Sequence, residues 1–270
     1  MDFSNIKLIV SDMDGTLLND RNEVSSRFFE QFKALKDRKI HFVAASGRQY
    51  QSILQKLDPI KDEISIIGEN GGIMQHENST QVLLKLSEND VLQCIDVLRR
   101  VDDCFIVLCG RKAAYVETKN TRFLSILKRY YAEIKPVEDL TKVTDDDFLK
   151  IAVYHFESSE EFVYPHIQKL KDDFQVIVSG QNWLDISHSL ADKSYALKKL
   201  QQAMGLTEKD TLVFGDYNND VGMLKLANMS FAMENAHPNV KQIARFQTKS
   251  NAEEGVEHII DQLLTSRPLS

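Results

Sequence analysis

Residues 6–18, IKLIVSDMDGTLL, constrain the fold more than any other stretch. The run 6–10 has the length and β-branching of a strand buried on both faces. It stops at Ser11. Asp12 and Asp14 follow, one residue apart, and Gly15 lets the backbone turn. Two carboxylates are thus placed at the carboxyl end of a buried strand, where open α/β sheets bind their ligands. Close negative charges repel and need compensation. A hard divalent cation, which takes oxygen ligands, is the compensator this pattern favours. The alternative is a surface Asp-x-Asp turn that only closes the strand, and the rest of the chain must decide between them.

The downstream rhythm supplies a context. A polar loop at 19–23 leads to a helix capped by Ser25 or Ser26 and running to about Lys39, with Phe28, Phe32 and Leu35 on one face. IHFVAA (40–45) reads as a second buried strand, ending in Ser46-Gly47-Arg48. A short helix over 50–57 closes before Pro59, and ISIIG (64–68) reads as a third strand with a turn at 69–72. Strand and helix in alternation predict a parallel sheet covered on both faces.

The rhythm changes between about 82 and 187. Ser87 caps a helix with Val91, Ile95 and Leu98 in register. CFIVLCG (104–110) and AAYVETK (113–119) read as an antiparallel hairpin. A helix is expected over 121–133, a strand over 149–156, a helix near 159–172 disturbed by Pro165, and strands over 174–179 and 183–188. After Lys193 the parallel rhythm returns: a helix to Met204 ending at Gly205, a strand TLVFG (211–215), MSFAM (229–233), a strand near 246–248 and a helix over 254–264. The expected fold class is therefore α/β, a Rossmann-like parallel sheet core formed by 1–81 and 188–270, with an α+β module of 82–187 inserted.

Length agrees with this division, since 270 residues exceed one typical domain. The composition, 43% hydrophobic and 27% charged, is that of a globular protein. No apolar stretch approaches the ~20 residues of a membrane span, so no membrane partner is expected. MDFSNIK lacks a basic region followed by an apolar core, which argues against a signal peptide. Cys94, Cys104 and Cys109 have no metal-ligand spacing, and their odd number argues against a disulfide framework. Reduced core thiols in a cytoplasmic protein are the plain reading. A net charge of −7 and a pI of 5.6 disfavour nucleic acid as a partner. They do not disfavour a small anionic substrate, because local charge decides that. The oligomeric state is left open.

Three apolar strands end in polar clusters, Asp12/Asp14, Ser46-Gly47-Arg48 and Asp216/Asn219/Asp220, and Lys193 heads the helix between the last two. In a parallel sheet these ends share one edge. Singly, each has a plain reading: Ser46 as a helix cap, Lys193 as a solvated lysine, Asp216 and Asp220 as caps. Together they supply what phosphoryl transfer needs, an oxygen nucleophile, a metal to neutralise charge and donors to hold the phosphoryl oxygens.

The order DMDGT, a Ser ending the second strand, a Lys, then GDYNND resembles the four motifs of the haloacid dehalogenase superfamily of phosphohydrolases. The inserted module resembles the type-II cap of the Cof-like subfamily, as does the tail with MENAHPNVK and SNAEEGV. The resemblance covers essentially the whole chain. It implies Asp12 as nucleophile, forming an aspartyl-phosphate, and Asp14 as general acid and base. It implies Mg²⁺ held by Asp12, the Asp14 backbone carbonyl and Asp216, with Asp220 supporting the metal site and Lys193. Ser46, the Gly47 amide and Lys193 would hold the phosphoryl oxygens, and Asn219 the phosphate or its water shell. Arg48 could reach the leaving group or the cap, or form a surface ion pair. Ser194 stands where the family usually has Gly after the lysine, with Asp192 before it, which leaves the local loop shape open.

The inserted module carries no catalytic constellation of its own. His155, His166 and His188 read as packed or solvated, and Trp183 as core packing rather than substrate stacking. The module's expected use is as a lid that excludes water and selects the leaving group. The function expected is Mg²⁺-dependent hydrolysis of small phosphomonoesters, sugar phosphates foremost. Two alternatives remain: a phosphotransferase or phosphomutase using the same intermediate, and a non-catalytic phosphate-binding module.

Overall fold

The computed structural model describes residues 1–77 and 79–267. Leu8–Ser11 is buried throughout and lies inside a sheet, paired in parallel with Thr211–Gly215 on one side and His41–Ala45 on the other. Burial on both faces and both edges explains why this run is continuously apolar instead of alternating. Met229–Ala232 and Phe246–Gln247 extend the sheet beyond Thr211–Gly215, and Ser65–Gly68 extends it beyond His41–Ala45, all in parallel. Ser11 is in register with Phe214 and with Ala44. The residues that follow these strands, Asp12, Ser46 and Asp216, therefore emerge along one edge.

The sheet is longer than the sequence suggests. Ile73–His76 and Ser79–Val82 add two antiparallel strands beside Ser65–Gly68. The sequence predicts no strand between the turn at 69–72 and the boundary near 82, because the outer strand, STQV, is polar and half exposed and carries no apolar alternation. Helix Ser26–Asp37 starts at Ser25, whose hydroxyl accepts from the Phe28 amide, and packs Phe28, Phe32 and Leu35 into the core. Helix Lys193–Met204 starts at Asp192 and ends at Gly205, in the left-handed conformation (φ +63°).

A second sheet runs in the order Phe174–Val178, Trp183–His188, Phe148–His155, Cys104–Gly110, Ala114–Val116, Ile134–Pro136. Its strands pair antiparallel except the last two. Phe148–His155 divides by parity. Ile151 and Val153 pack against Val91, Ile95 and Leu98 of helix Glu88–Leu98, while Ala152 and Tyr154 pack with Phe123 and Val107 on the other face. Lys150 shares the parity of Ala152 and Tyr154. Asp185 and Trp183 stand opposite Ala152 and Tyr154 on the neighbouring strand and so share their face.

The helix expected over 121–133 stops at Leu127. Beyond it Tyr131 is buried, with its hydroxyl accepting from the Cys109 thiol, and Ile134–Pro136 joins the sheet. The demands of packing outweigh helix propensity there. The segment near Pro165 is a short α-helix, Ser159–Phe162, followed by a 3₁₀ stretch, Tyr164–Asp172, because proline cannot continue the α-helical bonding. Cys94, Cys104 and Cys109 are free thiols. Among the described residues, no helix is long and apolar enough to cross a membrane.

Candidate active site

The turn after the first strand is tight because Gly15 makes it so. Gly15 has φ +74°, and a Cβ there would stand 2.4 Å from Asp216 Oδ2. Any side chain would both strain the backbone and drive Asp216 away. Thr16 holds the same carboxylate, donating from Oγ1 to Asp216 Oδ1 at 3.0 Å.

Lys193 is fully buried and joins two carboxylates. Its ammonium donates to Asp12 Oδ1 at 2.5 Å and to Asp220 Oδ1 at 2.7 Å. Burial works against that charge, but Asp12 and Asp220 hold the ammonium above the usual lysine range. The other oxygen of Asp220 accepts from the backbone amides of Asp216 (2.9 Å) and Tyr217 (3.1 Å), which fixes the turn after the Thr211–Gly215 strand. Oxygens of Asp12, Asp216 and Asp220 lie within 4.8 Å of one another. Burial pushes the Asp12 carboxyl up to about 7 despite Lys193, with Asp220 and Asp14 adding to the rise. Asp216 is driven well above the carboxylate range by burial and by the charges of Asp12 and Asp220. Three carboxyl groups around one ammonium leave negative charge uncompensated. A hard divalent cation, bound through oxygen, fits this donor set and would favour the ionised forms.

The second strand delivers Ser46, Gly47 and Arg48 to the same edge. The Ser46 hydroxyl accepts from the Arg48 amide at 3.1 Å. Gly47 lies against Asn70, and a Cβ there would stand 2.9 Å from Asn70 Oδ1. Asn219 donates to that same Oδ1 at 3.1 Å, so it reaches the loop after the third strand. Arg48 donates from Nε to Asp14 Oδ2 and from Nη2 to Asp14 Oδ1, both at 2.6 Å. It also donates to the Asn22 side chain at 2.7 Å and to the Arg129 carbonyl at 3.0 Å, and it lies over the Tyr130 ring. The guanidinium is buried while Asp14 is half exposed.

A cavity of about 350 Å³ opens between this edge and the second sheet, a size suited to a small ligand. Asp12, Asp14, Ser46, Gly47, Arg48, Asp216 and Asn219 line it; Lys193 adjoins it through its bond to Asp12, and Asp220 holds Lys193 in turn. Tyr130, Tyr131 and Trp183 form part of the opposite wall. Trp183 had read as core packing. It does pack against Tyr154 and Tyr130, but it is only partly buried and faces the cavity.

Several residues of this region escape the sequence reading. Lys150 and Asp185 line the cavity from the second sheet, and Gln49 holds the Ala132 and Glu133 amides through its side-chain carbonyl. Glu69 and Asn70, just past the third strand, are buried with φ of 51° and 52°. A signal for two of them exists: Lys150 and Asp185 are charged residues flanked on both sides by apolar ones, Leu149 and Ile151, and Leu184 and Ile186, within strands. A charge at such a position needs a buried partner.

Ser194 is accommodated locally. The Asp192 side chain caps the helix through the Ser194 amide at 2.6 Å. Gly222 leaves the room, since a Cβ there would stand 2.8 Å from Ser194 Oγ and 2.4 Å from Asp192 Oδ1.

The profile of the haloacid dehalogenase-like hydrolases matches residues 9–260. A 5-amino-6-(5-phospho-D-ribitylamino)uracil phosphatase of Escherichia coli strain K12 is 32% identical over 266 residues, covering 96% of each chain. A Bacillus subtilis protein of the same name is 27% identical, covering 94% of each. A crystal structure from Streptococcus mutans superposes with a TM-score of 0.89 at 29% identity, covering 96% of this chain and 99% of that one.

Proposed function

The chain belongs to the haloacid dehalogenase-like hydrolases, Cof type, and on that premise we propose that it is a Mg²⁺-dependent phosphatase of small phosphomonoesters working through an aspartyl-phosphate. The observation that carries this reading is the setting of Asp12: at a strand end, bonded to Lys193, beside Asp216, and open to a cavity sized for a metabolite.

In this reading an Asp12 carboxylate oxygen attacks phosphorus, and the bond from phosphorus to the ester oxygen breaks. Asp14 gives its proton to that oxygen as it leaves. Asp14 then takes a proton from water, the water oxygen attacks phosphorus, and the bond to Asp12 breaks, releasing inorganic phosphate. Ser46, the Gly47 amide and Lys193 hold the phosphoryl oxygens, and Asn219 contacts them or their water shell. Asp220 orients Lys193. Asp12, Asp216 and the Asp14 backbone carbonyl would hold Mg²⁺, which supplies neutralising charge to the phosphoryl group. Arg48 orients Asp14 through its ion pair and touches the lid at the Arg129 carbonyl.

The expected boundaries at 82 and 188 move by one residue each, because Val82 pairs in the first sheet and His188 in the second; the segment after Val82 through His188 serves as that lid, and the residues on either side of it as the catalytic core. The aromatic wall of Tyr130, Tyr131 and Trp183 suits the apolar face of a sugar or of a ring carried on a sugar-like chain. The substrate class is accordingly a sugar phosphate or a related small phosphorylated metabolite. The test is phosphate release from a panel of sugar, sugar-alcohol and nucleoside phosphates, each supplied alone with Mg²⁺. Release from several esters without an acceptor is expected. Turnover that required a second substrate would make the protein a phosphotransferase, and no turnover with phosphate binding intact would make it a binding module.

A further inference from the structure

A second buried charge cluster lies beside the carboxylates described above, and it joins the two sheets. Lys150, on the second sheet, is buried, and its ammonium reaches three oxygens: the Gly47 carbonyl at 2.6 Å, Glu69 Oε2 at 3.3 Å and Asp185 Oδ1 at 3.3 Å. Asp185 is fixed in turn by Asn70, which donates to Oδ2 at 2.7 Å and accepts from Asn219. Gly47 and Glu69 belong to loops of the first sheet, Lys150 and Asp185 to strands of the second.

The Gly47 carbonyl and the Arg48 amide belong to one peptide unit, and that unit is held at both ends. Lys150 takes the oxygen, and the Ser46 hydroxyl takes the N–H at 3.1 Å. A hydroxyl has one proton and two lone pairs. By accepting the Arg48 N–H, Ser46 commits a lone pair on that side and leaves its proton free to donate into the cavity. We propose that Lys150 is a positioning residue for the phosphate-binding loop, clamping the Gly47–Arg48 peptide so that Ser46 presents a donor to the phosphoryl group. Phosphate affinity is thereby tied to the seating of the second sheet on the first. This rests on the phosphatase reading for its purpose, though not for its geometry.

The position is distinctive because it separates Lys150 from its neighbours on the same sheet. Tyr130 and Trp183 face the part of the cavity beyond the phosphoryl site. Lys150 acts on the group that all phosphate esters share. Its loss should therefore lower kcat/KM by one factor for every ester and should not alter their ranking.

The experiment measures inorganic phosphate binding to the Mg²⁺-loaded protein by calorimetry, alongside kcat/KM for several esters. Lys150→Met should weaken phosphate binding by about ten- to a hundredfold, the worth of one hydrogen bond from a charged group. That variant also strands Glu69 and Asp185 without a counter-charge and will lose stability. A triple variant, Lys150→Met with Glu69→Gln and Asp185→Asn, removes the stranded charge. It should regain thermal stability and yet bind phosphate as weakly as the single variant. Recovery of wild-type phosphate affinity in the triple variant would reduce Lys150 to a structural ion pair and overturn the proposal, as would a Lys150→Met protein that reorders ester preference. A wild type that binds phosphate but hydrolyses no ester would refute the phosphatase reading alone. A wild type that turns esters over normally while Lys150→Met binds phosphate unchanged would refute this proposal alone.

Discussion

Arg48 grips Asp14 with both edges of its guanidinium fork, Nε to Oδ2 and Nη2 to Oδ1, each at 2.6 Å. The arginine is buried and the aspartate half exposed, so the pair has one fixed member and one that faces the cavity. A third donation, from Nη1 to the Arg129 carbonyl at 3.0 Å, ties the same guanidinium to the segment that bears Tyr130. Arg48 thus sets the direction of Asp14 and touches the facing wall at once.

Lysine cannot reproduce that fork, because it is a point charge on a flexible stem. Arg48→Lys should misplace Asp14 and cost turnover by about tenfold or more, the scale of general acid catalysis being ~10²–10⁴-fold. The loss should fall hardest on alkyl phosphates, whose alkoxides need a proton to leave, and least on aryl phosphates such as p-nitrophenyl phosphate. Steady-state kinetics on both ester classes check this. Equal losses would detach Arg48 from the proton transfer.

Asp12→Asn should abolish turnover and keep the fold. Lys193 retains Asp220 as a partner at 2.7 Å, so no buried ammonium is left unpaired. Uncatalysed monoester hydrolysis is so slow that accelerations reach ~10²¹-fold, and losing the covalent route removes most of that. Circular dichroism with phosphate-release assays decides it, and a folded Asp12→Asn protein with substantial activity would remove Asp12 from the nucleophile's role.

Asp216→Ala should greatly weaken Mg²⁺ binding, and an excess of chelator should silence the wild type. Ca²⁺ should substitute poorly, since it prefers more ligands at longer distances. Calorimetric titration of the metal and activity in chelator are the measurements. Undiminished activity in chelator would exclude the metal from the reaction.

Tyr130→Ala and Trp183→Ala should change the ranking of phosphate esters while leaving Mg²⁺ affinity unchanged, because the carboxylates lie on the other sheet. Lys193→Ala should instead depress turnover for every ester, since it bonds Asp12 itself. A matrix of kcat/KM values over variants and esters tests the division. Uniform scaling by the aromatic variants, or a mere change of preference by Lys193→Ala, would defeat it.

Glu69 gives a pH signature. Burial pushes its carboxyl up to about 7, and Lys150, 3.3 Å from Oε2, only partly offsets this. A folded-state value above the unfolded one means that the native protein holds a proton the unfolded chain releases. The stabilising contribution is complete below about 4.5 and is lost as pH rises towards about 7, by roughly 3 kcal/mol at most. Urea unfolding from pH 5 to 8 should show stability falling more steeply in the wild type than in Glu69→Gln. Parallel curves would show that Glu69 is already ionised at pH 5.

The sequence by itself determined the parallel sheet and its chemical edge. Apolar runs such as 6–10, 40–45 and 211–215 can be read because burial on both faces demands a continuous pattern, and Asp12, Ser46 and Asp216 follow them by chain order alone. The convergence of those three residues required only that the strands be parallel and in register. The tertiary structure alone decided what surrounds them. Ser79–Val82 is a polar edge strand with no periodic signal, and the segment after Leu127 leaves the helix to bury Tyr131. Arg48 with Asp14, and Lys150 with Gly47, Glu69 and Asp185, pair across 34 to 103 residues. The sequence can mark Lys150 and Asp185 as charges among apolar neighbours, but it does not say which partner each one finds. The pairing is a matter of distance in space, fixed only when the two sheets are packed together.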